Sequence, residues 1–516
     1  MVTRGLEGIG NSEDRTGEED NDKPLGSKAP IHRIPAELLE KIFLYCLPHP
    51  VMSTRPLGFH FGVRRPWFHI TRVCRYWRTV ALNFRILWTT PDFELPSLAR
   101  AMLERSKPLP LDIFVPRLRL RSLKLDMLAV TLNEMDRIKT VHLNLSSSST
   151  IIQDFILKLV ERLSILHTIH VEYVADSWSA PVVFALLVKF LGDDAPNLTE
   201  IYLQNCRLSQ GWDSPLLHQN ITSFIWDVHD AVKHPFGSIS EQQETSPGMY
   251  STDFFKALEN MPLLEVLELD HILPHSIPRD APVVALPRLR RLRLVTCGFA
   301  CFDVLRHLSF TPNLPIIHVG CDTGFVMAAS SEELEPLFAI VMQQISGISF
   351  RALWIGNVER STERGVRLQA WSNTPSDIER AIPTSTSTTP DVTIEFVWRG
   401  AVITGARRVV DAALPIFPID MLETLHIGFR FGVYDAKHFI SDYAALRHYS
   451  TIKNLIVTGP CAYQILFILS FSAQHVNTLQ ESDDHGQLDV LPSLTALTFT
   501  HVDFASPGYP ALGPSL

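Results

Sequence analysis

The sequence lacks the long apolar runs from which membrane-spanning helices are built. Its most apolar stretches, 182–191 and 463–471, are far shorter than the roughly 20 residues that cross a bilayer. Residues 1–30 are polar and acidic and contain no apolar segment of the kind found in secretory signal peptides. We therefore expect an intracellular protein, cytoplasmic or nuclear, with no membrane partner.

Cysteine is scarce, and positive charge is outnumbered. The seven cysteines are odd in number and lie mostly in apolar runs, which is typical of a reducing compartment and argues against a disulfide framework. The 46 lysines and arginines are outweighed by 55 aspartates and glutamates, which gives a net charge of −9. This balance provides no general attraction for nucleic acid, so we expect no nucleic-acid partner.

The usual signatures of catalysis are also missing. The sequence contains no phosphate-binding G-x-x-x-x-G-K-[ST] loop, no G-x-G-x-x-G, no H-E-x-x-H and no G-x-S-x-G. Cys297 and Cys301 are separated by three residues, but no second ligand pair follows at the spacing of a zinc site. We predict no catalytic residues, no metal and no cofactor, and hence a protein that is not an enzyme.

Two amphipathic segments stand near the N-terminus. The first, 34–47, has its apolar residues at the spacing of one helix face and is ended by Pro48 and Pro50. The second, 70–81, repeats this spacing and carries arginines on its other side. We predict two helices of about three turns each, joined by a proline-rich loop near 48–68.

These segments combine residue types in a specific order. The order is Ile34-Pro35-x-Glu37-Leu38-Leu39-x-x-Ile42-Phe43, then Val73-Cys74-Arg75-x-Trp77-Arg78, then Leu87-Trp88. It resembles the F-box, and more narrowly the F-box-like domain abundant in mushroom-forming fungi, although the long loop departs from a compact F-box. The resemblance implies a helical module that docks onto the Skp-family adaptor of a cullin–RING (SCF) ubiquitin ligase. It assigns adaptor binding to eight residues, Ile34, Pro35, Leu38, Leu39, Ile42, Val73, Trp77 and Trp88.

One leucine-rich pattern recurs through the rest of the chain. Residues 198–208 and 289–299 match the signature L-x-x-L-x-L-x-x-N/C-x-L, and looser copies retain its first six positions. The central residues of the nine copies are at 141, 169, 201, 224, 267, 292, 425, 455 and 497. Because one such unit cannot bury its own apolar side, neighbouring units must stack. The pattern resembles the leucine-rich repeat and predicts a solenoid of parallel strands. Outer helices are predicted at 151–163, 182–191, 254–258, 302–308 and 332–345.

Together these patterns predict an α/β protein with four regions. They are a disordered arm at 1–29, an F-box-like helical module at 30–91, a linker helix and first strand at 92–135, and an irregular leucine-rich-repeat-like solenoid at 136–516. Surface loops are predicted near 232–250, 384–390 and 480–487. The repeat is hard to follow between 310 and 415, although 350–355 and 392–398 have the composition of strands.

The resemblance implies a substrate-recruiting subunit of an SCF ubiquitin ligase, in which the solenoid holds an unknown target protein. Alternation of side chains along the strands makes Tyr202, Arg291 and Arg293 candidates for target binding. The same alternation predicts that His142, His170 and His426 face solvent or line the sheet surface.

Three other interpretations remain open at the level of sequence. The chain is a leucine-rich-repeat scaffold if the helical module is only an N-terminal cap and binds no ligase. A helical DNA-binding interpretation rests on one arginine cluster, at 64, 65, 72, 75, 78 and 85, but the long loop interrupts the short turn of a helix-turn-helix. A hydrolase would need a nucleophile–base arrangement that the sequence does not contain.

Overall fold

The structure is a computed structural model, and it describes the following residues: 33–47, 66–93, 95–115, 130–146, 165–174, 184–186, 195–208, 210–228, 251–274, 276–311, 316–322, 331–360, 363–373, 389–399, 404–417, 420–428, 449–459, 462, 465–466 and 491–502. The described residues form two compact units. One contains those up to Thr89 together with Arg105–Lys107, and the other contains the remainder. The predicted arm at 1–29 and the predicted loops at 232–250 and 480–487 lie outside the described residues, as does most of the loop at 384–390.

Eight α-helices occur in the described part of the chain. They are α1 (Ala36–Tyr45), α2 (Pro66–Ile70), α3 (Arg75–Asn83), α4 (Pro96–Arg105), α5 (Ser251–Glu259), α6 (Ala300–Arg306), α7 (Ser331–Gln344) and α8 (Thr404–Ala413). Short 3₁₀ helices cover Arg85–Trp88, Leu132–Arg137 and Gly211–Asp213. Within these described segments, no helix is both long enough and apolar enough to cross a membrane.

All eighteen described strands belong to the larger unit. They are β1 (Leu111–Val115), β2 (Ile138–Ser146), β3 (Thr168–Val174), β4 (Phe184–Leu186), β5 (Glu200–Gln204), β6 (Cys206–Leu208), β7 (Ser223–Asp227), β8 (Val266–Asp270), β9 (Val284–Leu286), β10 (Arg291–Cys297), β11 (Leu308–Phe310), β12 (Ile316–Asp322), β13 (Ala352–Arg360), β14 (Glu363–Trp371), β15 (Val392–Arg399), β16 (Thr424–Gly428), β17 (Asn454–Thr458) and β18 (Ala496–Thr500).

Fourteen of these strands form one sheet in the order β1-β2-β3-β5-β7-β8-β10-β12-β15-β14-β13-β16-β17-β18. Every neighbouring pair is parallel except for β14, which runs antiparallel to both β13 and β15. Two short parallel pairs, β4 with β6 and β9 with β11, lie outside this sheet. The predicted α/β class is therefore confirmed, with a large and mostly parallel sheet.

The recurring leucine pattern corresponds to one row of the sheet. The strand register aligns the nine central residues of the pattern with five more residues in a continuous row. The row is Ile113, Val141, Ile169, Ile201, Phe224, Leu267, Leu292, Ile317, Val392, Ala370, Leu353, Leu425, Leu455 and Leu497. All but Leu497, on the terminal strand of the described sheet, are buried. Since each buried aliphatic or aromatic side chain contributes about 1.5–3 kcal/mol, this row is a main source of stability.

The region in which the repeat was hard to follow contains an antiparallel insertion. The predicted strands at 350–355 and 392–398 correspond to β13 and β15, whereas β12 and β14 were missed. Leu314, Ile317 and Val319 do have the spacing of the pattern, but Pro315 obscures it. Gly365 on β14 is required by the antiparallel pairing, because a Cβ atom there would collide with the carbonyl oxygen of Phe396.

Three of the predicted outer helices correspond to α5, α6 and α7, with ends that differ by a few residues. The segment 151–163 lies outside the described residues. The predicted helix at 182–191 is wrong where the structure describes it, because Phe184–Leu186 is strand β4 and pairs with β6. A short apolar run has no clear period, so a strand and a helix segment cannot be told apart from it.

The helical module differs from the prediction in its second half. The predicted helix at 70–81 is two helices, α2 and α3, separated by a turn and by Cys74, whose backbone is extended (φ −159°, ψ 174°). The Cys74 sulfur accepts a hydrogen bond from the Trp77 N–H at 3.4 Å and thereby caps α3. Helix α2 begins at Pro66, so the loop near 48–68 ends earlier than predicted; residues 48–65 lie outside the described residues.

Candidate interaction surfaces

The eight residues assigned to adaptor binding divide into buried and accessible groups. Leu39 and Trp88 are buried, with exposed fractions of 0% and 1%. Leu38, Ile42 and Val73 are exposed, at 50%, 41% and 47%. The remaining three are Pro35, which is exposed, and Ile34 and Trp77, which are half-buried. Only the accessible group offers direct contact to a partner.

Buried Trp88 and half-buried Trp77 make contacts inside the module. The Trp88 indole N–H donates to the Ala81 carbonyl oxygen at 3.0 Å, and the Arg105 guanidinium lies 4.7 Å from the Trp88 ring centroid. Trp77 packs against Phe43 with ring centroids 5.5 Å apart. The buried Trp77 Nε1 has no hydrogen-bond partner among the described residues.

Helix α1 has apolar side chains on two faces. Leu39 and Phe43 point into the module and are fully buried. Leu38, Ile42 and Tyr45 follow at helical spacing on another face and are exposed, Tyr45 at 83%. Sequence reasoning missed Tyr45, although its position three residues after Ile42 was a usable signal. Folding does not require a second apolar face, so this face is a candidate for binding.

The large unit presents a second candidate surface, which we call the ladder face: the side of the sheet whose residues alternate with the buried row. Its central positions are Phe114, His142, His170, Tyr202, Ile225, Glu268, Arg293, His318, Thr393, Gln369, Trp354, His426, Ile456 and Thr498. The predicted candidates Tyr202 and Arg293 and all three histidines therefore share one row.

The row begins with four neighbouring rings, each tilted by 42–44° to the next. The centroids of Phe114, His142, His170 and Tyr202 are separated by 5.8, 5.0 and 3.9 Å in turn. Burial lowers the pKa of His170 to about 3, and the neighbouring His142 adds to the effect. Burial also lowers the pKa of His142. Both imidazoles are therefore neutral at physiological pH, and the four rings form an uncharged aromatic ladder.

Carboxylates flank these rings on β1 to β8. They are Asp112, Glu172, Glu200, Asp227, Glu268 and Asp270, all at ladder-face positions. Glu172 accepts a hydrogen bond from the Asn144 amide at 2.8 Å, and Glu200 accepts one from the Thr168 hydroxyl at 3.1 Å. Among the described ladder-face positions of these six strands there is no lysine or arginine. We call this part of the face the acidic zone.

Beyond β8 the face changes to paired charges. Arg293 donates to Asp270 at 2.9 Å and contacts His318 Nδ1 at 2.7 Å, while Arg291 lies 3.5 Å from Glu268. Burial raises the pKa of Glu268, and the two arginines oppose that rise. On β14, Arg367 donates to Glu395 of β15 at 3.0 Å. Arg291 and Arg293, predicted as target-binding candidates, are thus engaged with carboxylates of the sheet itself.

The last strands, β13 as far as Asn357 and β16 to β18, carry no charged residue at their ladder-face positions. Burial lowers the pKa of His426 to about 4, and its Nε2 lies 2.7 Å from the Thr458 hydroxyl. His426 is only 2% exposed, so it lines the sheet and does not face solvent. The Trp354 indole lies over Gly356, where an added Cβ would collide with the ring atoms Cζ2 and Cη2. We call this part the neutral zone.

The described cysteines do not form a metal centre. Cys301 and Cys321 are buried, with sulfur atoms 3.3 Å apart, and Cys206 is buried alone in the core cluster. In the residues that the structure describes, no group of three or more His, Cys, Asp or Glu side chains is arranged to hold a metal ion.

The chain was also compared with known proteins. No protein-family model matches it. A search of curated proteins finds no significant match either.

Proposed function

We propose that this protein is the substrate-recruiting, F-box-like subunit of an SCF ubiquitin ligase. Its helical module binds a Skp-family adaptor, and its sheet, read as an irregular leucine-rich-repeat-like solenoid, binds a target protein. The chain contributes positioning: it raises the local concentration of the target near the subunits that transfer ubiquitin. In this proposal it supplies no catalytic residue, cofactor or metal.

The observation that carries the proposal is the second apolar face of α1. Leu38, Ile42 and Tyr45 are exposed one turn apart, while a different face of the same helix, with Leu39 and Phe43, already fills the interior of the module. Aliphatic and aromatic residues that become desolvated on binding supply most of the energy of a protein interface. Val73 adds a further exposed apolar residue in the motif that resembles the F-box.

The sheet supports the second half of the proposal. Its long parallel series brings one ladder-face residue from each strand into a row, and such a row offers many adjacent positions for contact with an extended partner. Each strand buries its core-face residues against those of its neighbours. The identity of the ladder-face residues is less constrained by the core and can therefore suit a particular target.

A second candidate function is a repeat scaffold without ligase activity, in which the helical module only caps the sheet-containing region. The burial of Leu39 and Trp88 favours it, because two of the eight assigned residues are explained by stability alone. The two functions differ in whether the exposed face of α1 has a partner.

Co-expression of the full chain with a fungal Skp-family adaptor, followed by affinity purification and size-exclusion chromatography, tests the proposal. We expect a stable complex from the wild type, and we expect the double variant Leu38→Asp/Ile42→Asp to lose it. Both positions are exposed, so the variant should retain the folded module. The matched control is Val283→Asp, which places the same charge on a 62% exposed valine of the other unit.

The ligase proposal would be wrong if the double variant still binds the adaptor, or if folded wild-type protein does not bind it. The repeat-scaffold function would then remain. Loss of binding in the Val283→Asp control would also count against it, since the interface would then not be specific to α1. Circular dichroism and thermal melting of each variant establish that the protein is folded.

A further inference from the structure

Two cysteine sulfurs meet in the core of the large unit. Cys301 lies on α6 and Cys321 on β12, and their Sγ atoms are 3.3 Å apart. Both residues carry thiols, not a disulfide, and their exposed fractions are 0% and 1%. A disulfide bond is about 2.05 Å long, so the two sulfurs need to approach by about 1.3 Å to bond. This shift is smaller than the length of one carbon–carbon bond.

The pair lies where the parallel strand series meets the antiparallel insertion. In the strand register, Cys321 is the partner of Thr296 on β10 and of Phe396 on β15. Phe302, the residue after Cys301, stacks on Phe396 with ring centroids 6.1 Å apart. A bond between the two sulfurs would therefore join α6 covalently to the strand that pairs with β15.

Burial determines which oxidants can reach these sulfurs. Thiols that are at most 1% exposed offer almost no surface to a bulky disulfide such as oxidised glutathione. A small peroxide, in contrast, can enter during a brief local opening of the core. A sulfenic acid formed on one sulfur then has the other thiol beside it, and this neighbour reacts with it before a second peroxide arrives.

We propose that Cys301 and Cys321 form a reversible disulfide on exposure to a peroxide, and that this bond is a redox-sensitive staple between α6 and β12. The first thiol reacts with hydrogen peroxide to give a sulfenic acid and water. The second sulfur then attacks the sulfenic sulfur, the S–S bond forms as the S–O bond breaks, and the hydroxyl leaves as water with the thiol proton. Two thiols and one peroxide thus give one disulfide and two waters.

This staple is independent of the proposed function, since it involves neither the helical module nor a target protein. In most intracellular proteins a disulfide is transient and responds to the redox state of its surroundings. A thiol reductant restores the two cysteines, so the bond can act as a switch.

Cys206 provides a matched comparison within the same core. It is fully buried, and burial raises the pKa of its thiol. Its sulfur contacts the carbonyl oxygens of Gln204 and Val171, at 3.2 and 3.8 Å, where Cys301 contacts a second sulfur. We therefore expect peroxide to produce a disulfide at the pair and none at Cys206.

Peroxide treatment of the folded full chain tests the inference. Remaining thiols are blocked by alkylation, and a digest is examined by mass spectrometry without reduction. We expect peptides joined through Cys301 and Cys321, and we expect dithiothreitol to separate them. Failure of this pair to form at a peroxide concentration that oxidises half-buried Cys46 or Cys74 would overturn the inference. Formation of the pair by oxidised glutathione at the same rate would overturn the response to peroxide that burial implies.

Hydrogen exchange distinguishes a staple from incidental oxidation. The bond would close a loop between residues 20 positions apart. We expect oxidation of the wild type to slow amide exchange in α6 and β12 about tenfold or more, and we expect dithiothreitol to reverse the change. Cys301→Ala should abolish this effect, whereas Cys206→Ala, an equally buried control, should retain it.

Unchanged exchange in wild-type protein that contains the disulfide would refute the staple, as would equal slowing in oxidised Cys301→Ala. Circular dichroism and thermal melting without oxidant establish that each variant is folded. Cys321→Ala removes the other half of the pair and gives the same test if Cys301→Ala does not fold.

Discussion

The acidic zone and the neutral zone are two parts of one face of one sheet, yet they differ in almost every side chain. Both rest on the same kind of core: Leu267 and Leu425, one beneath each zone, are completely buried in the same row. The acidic zone presents rings and carboxylates, whereas the neutral zone presents Trp354, His426 and threonines. The core is therefore uniform while the ladder face is not.

This difference separates what folding requires from what it leaves open. Strand register and the apolar row account for the core face, because a residue there that is not apolar costs stability directly. The same requirement does not extend to the ladder face, where polar and charged groups retain contact with water or with each other. Burial of the core-face row therefore does not by itself account for the carboxylates on β1 to β8.

The largest expected effect would test the uniformity of the core. Leu267→Ala and Leu425→Ala should each lower the free energy of unfolding by about 2–5 kcal/mol, since both side chains are 0% exposed and truncation leaves a cavity. Urea denaturation followed by circular dichroism measures both. A loss of stability in only one of the two variants would contradict the comparison, because it would show that the core beneath one zone contributes less than the core beneath the other.

The next effect concerns pH and is shared by the zones. His426 binds a proton near pH 6.5 when unfolded but only near pH 4 when folded. The unfolded state therefore takes up more protons between these values, and stability falls as the pH is lowered, by about 3 kcal/mol at pH 4. We expect His426→Gln, whose amide keeps a partner for Thr458, to reduce this loss in acid-dependent unfolding.

The matched change in the acidic zone is His170→Gln. Its folded pKa is about 3, so the same argument gives a loss of stability as the pH falls from 6.5 toward 3. A variant whose stability keeps the full pH slope of the wild type would contradict the assignment of a neutral, buried imidazole at that position.

A smaller effect is specific to the neutral zone. In Gly356→Ala the new methyl group would lie 2.6 Å from the carbonyl oxygen of Gly428 and would press on the Trp354 ring, and we expect a loss of about 1–3 kcal/mol. Gly428→Ala is the matched control on the next strand, where the nearest atom is 3.5 Å away and the change should cost less than about 0.5 kcal/mol. Equal melting temperatures of the two variants would show that the packing of the Trp354 indole does not require glycine at position 356.

The smallest effect belongs to a surface pair outside both zones. Lys453 lies 3.0 Å from Glu423, with exposed side-chain fractions of 55% and 38%. We expect Lys453→Met to change stability by less than about 1 kcal/mol, and less still at high salt, because exposed ion pairs are weak and screened. A larger change in the free energy of unfolding, measured by urea denaturation, would mean that this ion pair helps to stabilise the strands of the adjoining neutral zone.

The sequence predicted the strands better than it predicted their surroundings. The L-x-x-L-x-L spacing located nine strands because the alternation that buries a leucine is local. It missed β12, where Pro315 interrupts the pattern, and β14, whose antiparallel direction depends on contacts with distant β13 and β15. Helix α3 was merged with α2, because apolar spacing alone does not show that Cys74 is an extended cap.

The candidate sites were predictable only in part for a similar reason. Alternation assigned Tyr202 and Arg293 to the right face, since it needs only one strand at a time. The pairing of Arg293 with Asp270 and His318 depends on which strands are neighbours and on their register, and the uneven intervals between repeats conceal both. The exposed face of α1 likewise required knowledge of which apolar side chains the module buries.

The insertion of β13 to β15 also has a consequence for synthesis of the chain on the ribosome. In the large sheet, β2, β3, β5, β7, β8, β10 and β12 each pair with the preceding strand of the sheet, so each gains its first partner as soon as it emerges. The other edge of β12 must wait for β15, which begins 70 residues after β12 ends, at 392 against 322. At about 5–20 residues per second, that edge stays unpaired for about 4–14 s. During this interval β12 is a template for wrong strand pairing, and a nascent chain stalled there should be a preferred client of chaperones.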